Sequence, residues 1–208
     1  MRSAVIVAGG RSTRFGDRDK AVADLAGVPM IRRVADRLAR VCEHLVVNCR
    51  ADQRDAIGDA LVGTAVPTAF AVDTEPDRGP VAGIRTGLRA VDTEYAVVVA
   101  CDMPFVDPDF VRYLFERAAG HDAAVARPDE WYEPMQAVYR ATAMADACEV
   151  ALDAAEEREP RILTPIETLD CVVVGNDEVA AHATSDTFDN LNTEAEFQAA
   201  RERLASDA

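Results

Sequence analysis

The sequence predicts an α/β fold built on a doubly wound, mainly parallel sheet, with some antiparallel strand character in the C-terminal half. Three observations carry this. Short β-rich runs alternate with helical patterns through the first 120 residues, which is the rhythm of right-handed βαβ units. The run YAVVVA at Tyr95–Ala100 has no polar alternation, as expected of a strand buried on both faces. Beyond residue 120 the rhythm loosens, and Gln136–Arg140 follows Ala123–Arg127 with no helical pattern between them.

Taken in order, Arg2–Val7 reads as a strand, followed by a loop and a helix from about Met30 to Val41 begun by Pro29. His44–Asn48 is a second strand, with a helix near Asp52–Leu61. Thr68–Val72 is a third, ending at Asp73, and after the turn at Pro76–Pro80 a helix covers roughly Val81–Val91. Tyr95–Ala100 is the fourth. Asp107-Pro108-Asp109 then reads as an N-cap with proline in the first turn, opening a helix to about Ala119. Ala123–Arg127 and Gln136–Arg140 are strands, the second a candidate for antiparallel pairing. Ala141–Glu157 is a helix, Leu169–Val174 a last strand, and Thr193-x-x-Glu196 a capping box for a final helix ending near Leu204.

The 208 residues, 49% hydrophobic and 28% charged, describe a globular chain with a substantial core rather than a disordered one. There is no repeat, low-complexity tract or linker, so one domain over residues 1–208 is expected. No apolar run reaches the roughly 20 residues of a membrane helix, and the start is too short for a signal peptide, so a cytoplasmic location is expected.

The net charge of −15 argues against binding nucleic-acid phosphates. Residues 1–140 carry 18 basic and 21 acidic side chains, whereas residues 141–208 carry 4 and 16. The C-terminal excess reads as a solvated acidic coat of the halophile type. Cys42, Cys49, Cys101, Cys148 and Cys171 are odd in number, without a Cys-x-x-Cys pair, and read as reduced thiols. His44, His121 and His182 are scattered, which disfavours structural zinc or a Ser-His-Asp triad.

Against this acidic background the segment Arg11–Lys20 holds Arg11, Arg14, Arg18 and Lys20. Lys20 is the sole lysine beside 21 arginines, a compact point charge of the kind phosphate sites use. It closes the glycine-rich loop Ala8-Gly9-Gly10-Arg11 to Lys20 that follows the first strand. Glycines there let backbone N–H groups surround phosphate oxygens, and Arg14 and Lys20 can neutralise them. The loop is neither G-x-G-x-x-G nor a Walker loop, which disfavours dinucleotide-dependent dehydrogenases and P-loop NTPases.

In an open parallel sheet, ligands bind at the carboxyl ends of the strands. The fourth predicted strand runs out there into Ala100-Cys101-Asp102-Met103-Pro104. A carboxylate after a buried strand is costly unless it meets a cation, and Mg²⁺ accepts one or two carboxylates plus substrate phosphates. The third ends in Asp73, followed by Gly79 and Gly83 at a helix N-terminus offering free N–H donors. Together these loops predict a nucleotide site.

The run VAGGRSTRFGDRDKAVADLAGVPMI resembles the signature loop of nucleotidyltransferases with a Rossmann-like, three-layer domain, and is most similar to the molybdenum cofactor guanylyltransferase type. GPVAGI (Gly79–Ile84), ACDMPF (Ala100–Phe105) and NLNT (Asn190–Thr193) agree in order. The resemblance implies that Val7, Ala8, Gly9, Gly10 and Lys20 hold the nucleotide phosphates and adjoining groups, that Asp73 and Asn48 contact the nucleoside, and that Asp102 binds nucleotide and Mg²⁺. Asn190 and Asn192 would lie on the pterin side. It further implies a nucleotide-binding part over residues 1–120 and an acceptor-binding part over residues 121–208.

The implied reaction is Mg²⁺-dependent transfer of GMP from GTP to the terminal phosphate of molybdopterin, releasing pyrophosphate, with Lys20, Arg14 and Asp102 as catalytic residues. The implied partners are GTP, molybdopterin or the molybdenum cofactor, and molybdoenzymes or their chaperones. Two departures stand out: Val7 replaces the family's usual leucine, and Glu133-Pro134-Met135-Gln136-Ala137 matches the family's middle element only at Pro134. The alternatives are an adenosylcobinamide-phosphate guanylyltransferase, a molybdopterin cytidylyltransferase, or a non-catalytic nucleotide-binding protein.

Overall fold

The structure is a computed structural model that describes residues 1–10, 19–74, 78–155 and 158–206. Its centre is a seven-stranded sheet in the order β5-β4-β1-β6-β8-β7-β9. The strands are β1 (Ser3–Val7), β4 (His44–Cys49), β5 (Thr68–Val72), β6 (Tyr95–Ala100), β7 (Ala123–Arg127), β8 (Gln136–Arg140) and β9 (Cys171–Gly175). β1 pairs in parallel with β4 and β6, β4 with β5, and β7 with β9. β8 alone runs against its neighbours β6 and β7. The sheet is therefore mainly parallel with its reversal in the C-terminal half, as the sequence predicts.

Alternation along the buried strands builds two cores. Ala4 and Ile6 of β1 and Val97 and Val99 of β6 face one side, against α1 (Met30–Leu38), α2 (Arg54–Ala60) and α4 (Pro108–Ala118). Val5, Ala96 and Val98 face the other, against α3 (Gly79–Leu88) and α5 (Ala141–Ala154). Both faces being apolar explains why YAVVVA shows no polar alternation. α3 lies close on the sheet: a Cβ on Gly87 would stand 2.3 Å from Val5 Cγ1.

A third, smaller cluster sits beside the carboxyl ends of the central strands. There α8 (Glu194–Ser206) brings Phe197 and Ala200 onto Leu25, Met30, Phe105 and Leu191. Leu25 belongs to a hairpin of β2 (Asp24–Leu25) and β3 (Val28–Pro29), turned by Ala26 and Gly27 at φ 53° and 79°. Such two-residue turns favour Asn-Gly or Asp-Gly; Ala-Gly carries little signal, and the hairpin is not foreseen in the sequence. Pro29 ends β3 and is at the same time the N-cap of α1, which begins at Met30 as expected.

Two further short helices, α6 (Leu163–Ile166) and α7 (Asn176–His182), are likewise unforeseen. α3 begins at Gly79 rather than Val81, with Pro80 in its first turn where no N–H is required. The Asp107 N-cap of α4 accepts from Asp109 N, and Thr193 and Glu196 form the expected capping box of α8. Among the described residues no helix is long and apolar enough to cross a membrane.

Candidate active site

The carboxyl ends of β1, β4, β5 and β6 lie side by side, so the segments leaving them share one edge of the sheet. The first segment is stitched to its neighbours by the backbone. Ala8 N donates to Asn48 O at 2.8 Å, and Cys101 N donates to Val7 O at 3.1 Å. Side chains complete the attachment: Gln53 Nε2 donates to Ala8 O at 3.1 Å, and Arg50 Nη1 to Gly9 O and Gly10 O at 3.0 and 2.8 Å. Gln53 and Arg50 therefore hold the loop base, a role nothing in their sequence context announces. Val7 is half-buried on the α3 side, Ala8 is buried and Gly10 is exposed. Arg14, with Arg11 and Arg18, lies outside the described residues.

At the other end of this loop Asp19 caps a short 3₁₀ turn over Lys20–Val22, accepting from Ala21 N at 3.0 Å. Asp19 also accepts from Gln53 Nε2 at 2.8 Å. In the Asp-Lys pair of the sequence, the aspartate thus fixes the turn and the lysine is the group the turn presents.

Lys20 Nζ donates to Asp102 Oδ2 at 2.7 Å and to Asn192 Oδ1 at 2.9 Å. The Lys20 and Asp102 side chains keep only 8% and 18% of their exposure, so the attraction acts in a partly dry setting where it exceeds that of a surface pair. Asp102 Oδ1 is buried and has no hydrogen-bond partner among the described residues. A carboxylate oxygen left in this state fits a cation that arrives with the substrate. No group of three or more His, Cys, Asp or Glu side chains suited to a metal occurs among the described residues.

A second cluster lies at the ends of β4 and β5. Asn48, fully buried, donates through Nδ2 to Ala71 O at 3.2 Å and Asp73 Oδ1 at 2.7 Å. These two acceptors fix the amide orientation, and Asn48 Oδ1 is left without a partner among the described residues. Burial pushes the Asp73 carboxyl above its ordinary pKa, partly offset by hydrogen bonds from Asn48 and Thr86. The backbone comes close here: a Cβ on Gly83 would stand 2.5 Å from Asn48 Oδ1, and one on Gly9 would stand 2.7 Å from Asp73 Oδ2. A polar pocket of about 260 Å³ beside Asp73 is lined by Thr74, Arg78, Ala82, Arg85 and Thr86.

Asn190 and Asn192, paired in the sequence, part company in the structure. Asn190 Nδ2 closes its own loop onto Phe188 O at 3.0 Å, and Asn190 lines a groove of about 500 Å³ between residues 188–191 and α8. Asn192 instead reaches Lys20. Its separation from Lys20 by 172 positions gave the sequence no means of showing the contact.

Residues 4–172 match the family described as the MobA-like NTP transferase domain. A protein from Natronomonas pharaonis named "probable molybdenum cofactor guanylyltransferase" is 55% identical over 204 residues, covering 98% of both chains. One of the same name from Haloferax mediterranei is 42% identical over 192 residues, covering 92% of this chain and 89% of its own. The crystal structure of molybdopterin-guanine dinucleotide biosynthesis protein A from Archaeoglobus fulgidus superimposes with a TM-score of 0.80 at 26% identity, covering 99% of this chain and 100% of that one.

Proposed function

The chain belongs to the MobA-like NTP transferase family of nucleotidyltransferases, and from that premise we propose that it transfers GMP from GTP to the terminal phosphate of molybdopterin, releasing pyrophosphate. The observation that carries the reading is the Lys20–Asp102 pair, which joins the end of the loop from β1 to the segment after β6, with Asp102 Oδ1 buried and without a hydrogen-bond partner among the described residues. A cation of fixed place beside a carboxylate with one open oxygen is what a metal-triphosphate needs.

The attacking group is a phosphate monoester, anionic near neutral pH, so no general base is required. One of its oxygens forms the bond to the α-phosphorus of GTP while the bond to the bridging oxygen of pyrophosphate breaks, and that oxygen leaves with the electron pair. The protein's part is to place the two anions in line and spread their charge. Lys20 and the backbone N–H groups of Gly9 and Gly10 hold the phosphates, while Val7 and Ala8, whose backbone groups are bonded to Cys101, Asn48 and Gln53, fix the base of the loop beside them. Lys20 and Arg14 stabilise the charge that builds on the phosphoryl oxygens and the leaving group. Asp102 holds Mg²⁺, which when bound neutralises phosphate charge.

Guanine is favoured over cytosine by the chemistry at the other cluster. Both Asn48 N–H donors are used, which leaves Asn48 Oδ1 as a buried acceptor without a partner among the described residues. Guanine presents N1–H and N2–H₂ donors on its pairing edge, whereas cytosine presents a single donor group with two acceptors. On this reading residues 1–120 serve the nucleotide and residues 121–208 the acceptor, with Asn190 lining the groove on the acceptor side.

Pyrophosphate release measured with GTP, CTP and ATP against molybdopterin and adenosylcobinamide phosphate tests the proposal. It predicts turnover with GTP and molybdopterin. Turnover with CTP would keep the mechanism and overturn the base assignment; turnover with cobinamide phosphate alone would overturn the acceptor. Nucleotide binding without turnover would point to a binding protein.

A further inference from the structure

The segment from Thr184 to Asn192 joins α7 to α8 and is anchored at several points. Thr184 N donates to Asp107 Oδ2 at 2.9 Å. Thr187, fully buried, receives Asp107 N at 2.9 Å and Gln136 Nε2 at 2.8 Å on its Oγ1. Leu191 N donates to Asp102 O at 3.0 Å while its side chain enters the small core under α8. Asn192 N then donates to Glu196 Oε2 at 2.7 Å. The backbone of Asn192 is therefore fixed on both sides, and its approach to Lys20 is imposed by the fold.

An ammonium group carries three donors on a flexible stem that otherwise rotates freely. Asp102 Oδ2 and Asn192 Oδ1 take two of them, and with two directions set the third is set as well. We propose that Asn192 is a positioning residue for Lys20, so that the C-terminal segment bordering the acceptor groove completes the phosphate site of the nucleotide. The inference rests on the proposed function in one respect, that Lys20 meets phosphate. It departs from a role for Asn192 in contacting the acceptor.

A double-mutant cycle on nucleotide affinity tests it, with GTP and CTP in the presence of Mg²⁺ titrated calorimetrically into wild type, Asn192→Ala, Lys20→Ala and the double variant. Asn192→Ala is expected to weaken binding roughly tenfold, the scale of one hydrogen bond to a charged group. In the Lys20→Ala background the same change is expected to matter less than twofold. In turnover, Asn192→Ala should raise KM for the nucleotide and leave KM for the acceptor within about twofold.

Thr187→Val should reproduce part of the loss and Thr187→Ser restore it, because serine keeps the Oγ that Asp107 and Gln136 address. Equal losses in both Lys20 backgrounds would overturn the inference, as would a rise confined to the acceptor KM. Failure of wild type to bind either nucleotide would overturn the proposed function and the inference with it; binding with additive losses would sink the inference alone.

Discussion

Lys20 and Asp102 lie 82 positions apart in the chain and 2.7 Å apart in the fold. One sits on a 3₁₀ turn capped by Asp19, the other two residues beyond the end of β6. Each makes the other's partial burial tolerable, since removing either partner of a desolvated pair leaves an uncompensated charge. Asp102 spends one oxygen on Lys20, and its other oxygen, without a hydrogen-bond partner among the described residues, is the one to which the proposed function assigns the cation.

Lys20→Ala is expected to lower turnover at least ~100-fold, the scale of removing one preorganised donor from a developing charge. Lys20→Arg is expected to restore little of it, because the planar fork does not reproduce a point charge held between Asp102 and Asn192. Steady-state turnover with GTP and molybdopterin checks both, alongside a thermal melt to establish that each variant is folded. Turnover of Lys20→Ala within threefold of wild type would remove the lysine from the mechanism.

Asp102→Asn tests the cation. The variant should lose catalysis far more than nucleotide affinity, and its remaining affinity should depend less on Mg²⁺. Parallel titrations of GTP with and without Mg²⁺ give this directly. Equal and small losses in turnover and affinity would favour a binding protein over an enzyme.

For Asp73 the prediction concerns pH. Burial holds this carboxyl above its ordinary value, so the folded protein keeps the proton where the unfolded chain has already released it. Stability from this group therefore falls as pH rises from the ordinary carboxylate value, about 3.9, through the raised one, and stays lower above it. Asp73→Asn should then melt no lower than wild type at pH 7, and its margin over wild type should shrink at acid pH. The same variant should bind GTP more weakly and discriminate less against CTP. A variant that is less stable at pH 7 would contradict the account.

Gly83→Ala sets two magnitudes against each other. In an open helix the change gains up to about 1 kcal/mol. Here the new methyl would meet Asn48 Oδ1 at 2.5 Å and Val7 Cγ1 at 3.1 Å, and overpacking of this kind costs roughly 1–3 kcal/mol. Net destabilisation with weakened nucleotide binding is expected in denaturant titration and calorimetry, because the residue displaced, Asn48, is one to which the proposed function assigns the nucleoside.

The thiols offer a chemical check on the cores. Burial pushes Cys42 and Cys148 up to about 12 and Cys49 to about 11. At pH 8 a thiol reagent should leave these three unlabelled in the native protein and label them on denaturation, since the thiolate is the reactive form. Fast native labelling of Cys49 would mean that the end of β4 opens readily.

The central architecture was legible because its signals are local. Thr68–Val72, Tyr95–Ala100, Ala123–Arg127 and Gln136–Arg140 agree with the predicted strands at both ends, each being a short run with an apolar or β-branched centre. The β2–β3 hairpin was not legible, because two-residue strands have no periodicity and Ala26 adopts a positive φ without the residue type that advertises one. In the site, Lys20, Asp73 and Asp102 could be placed on one edge from strand ends alone. Gln53, Arg50 and Thr187 could not, since each acts on a partner 34 or more positions away, and only the fold supplies that proximity.

Thermal stability of the wild-type protein in high KCl with GTP, CTP or ATP, each with and without Mg²⁺, reads nucleotide binding at this edge of the sheet. A ligand present at a hundred times its dissociation constant adds about 2.7 kcal/mol, which is readily seen as a shift in Tm. A shift with GTP that needs Mg²⁺ and is lost in Lys20→Ala is expected. No shift with any nucleotide on a folded sample would contradict the assignment of the edge from Gly9 to Lys20 and Asp102 as a nucleotide site.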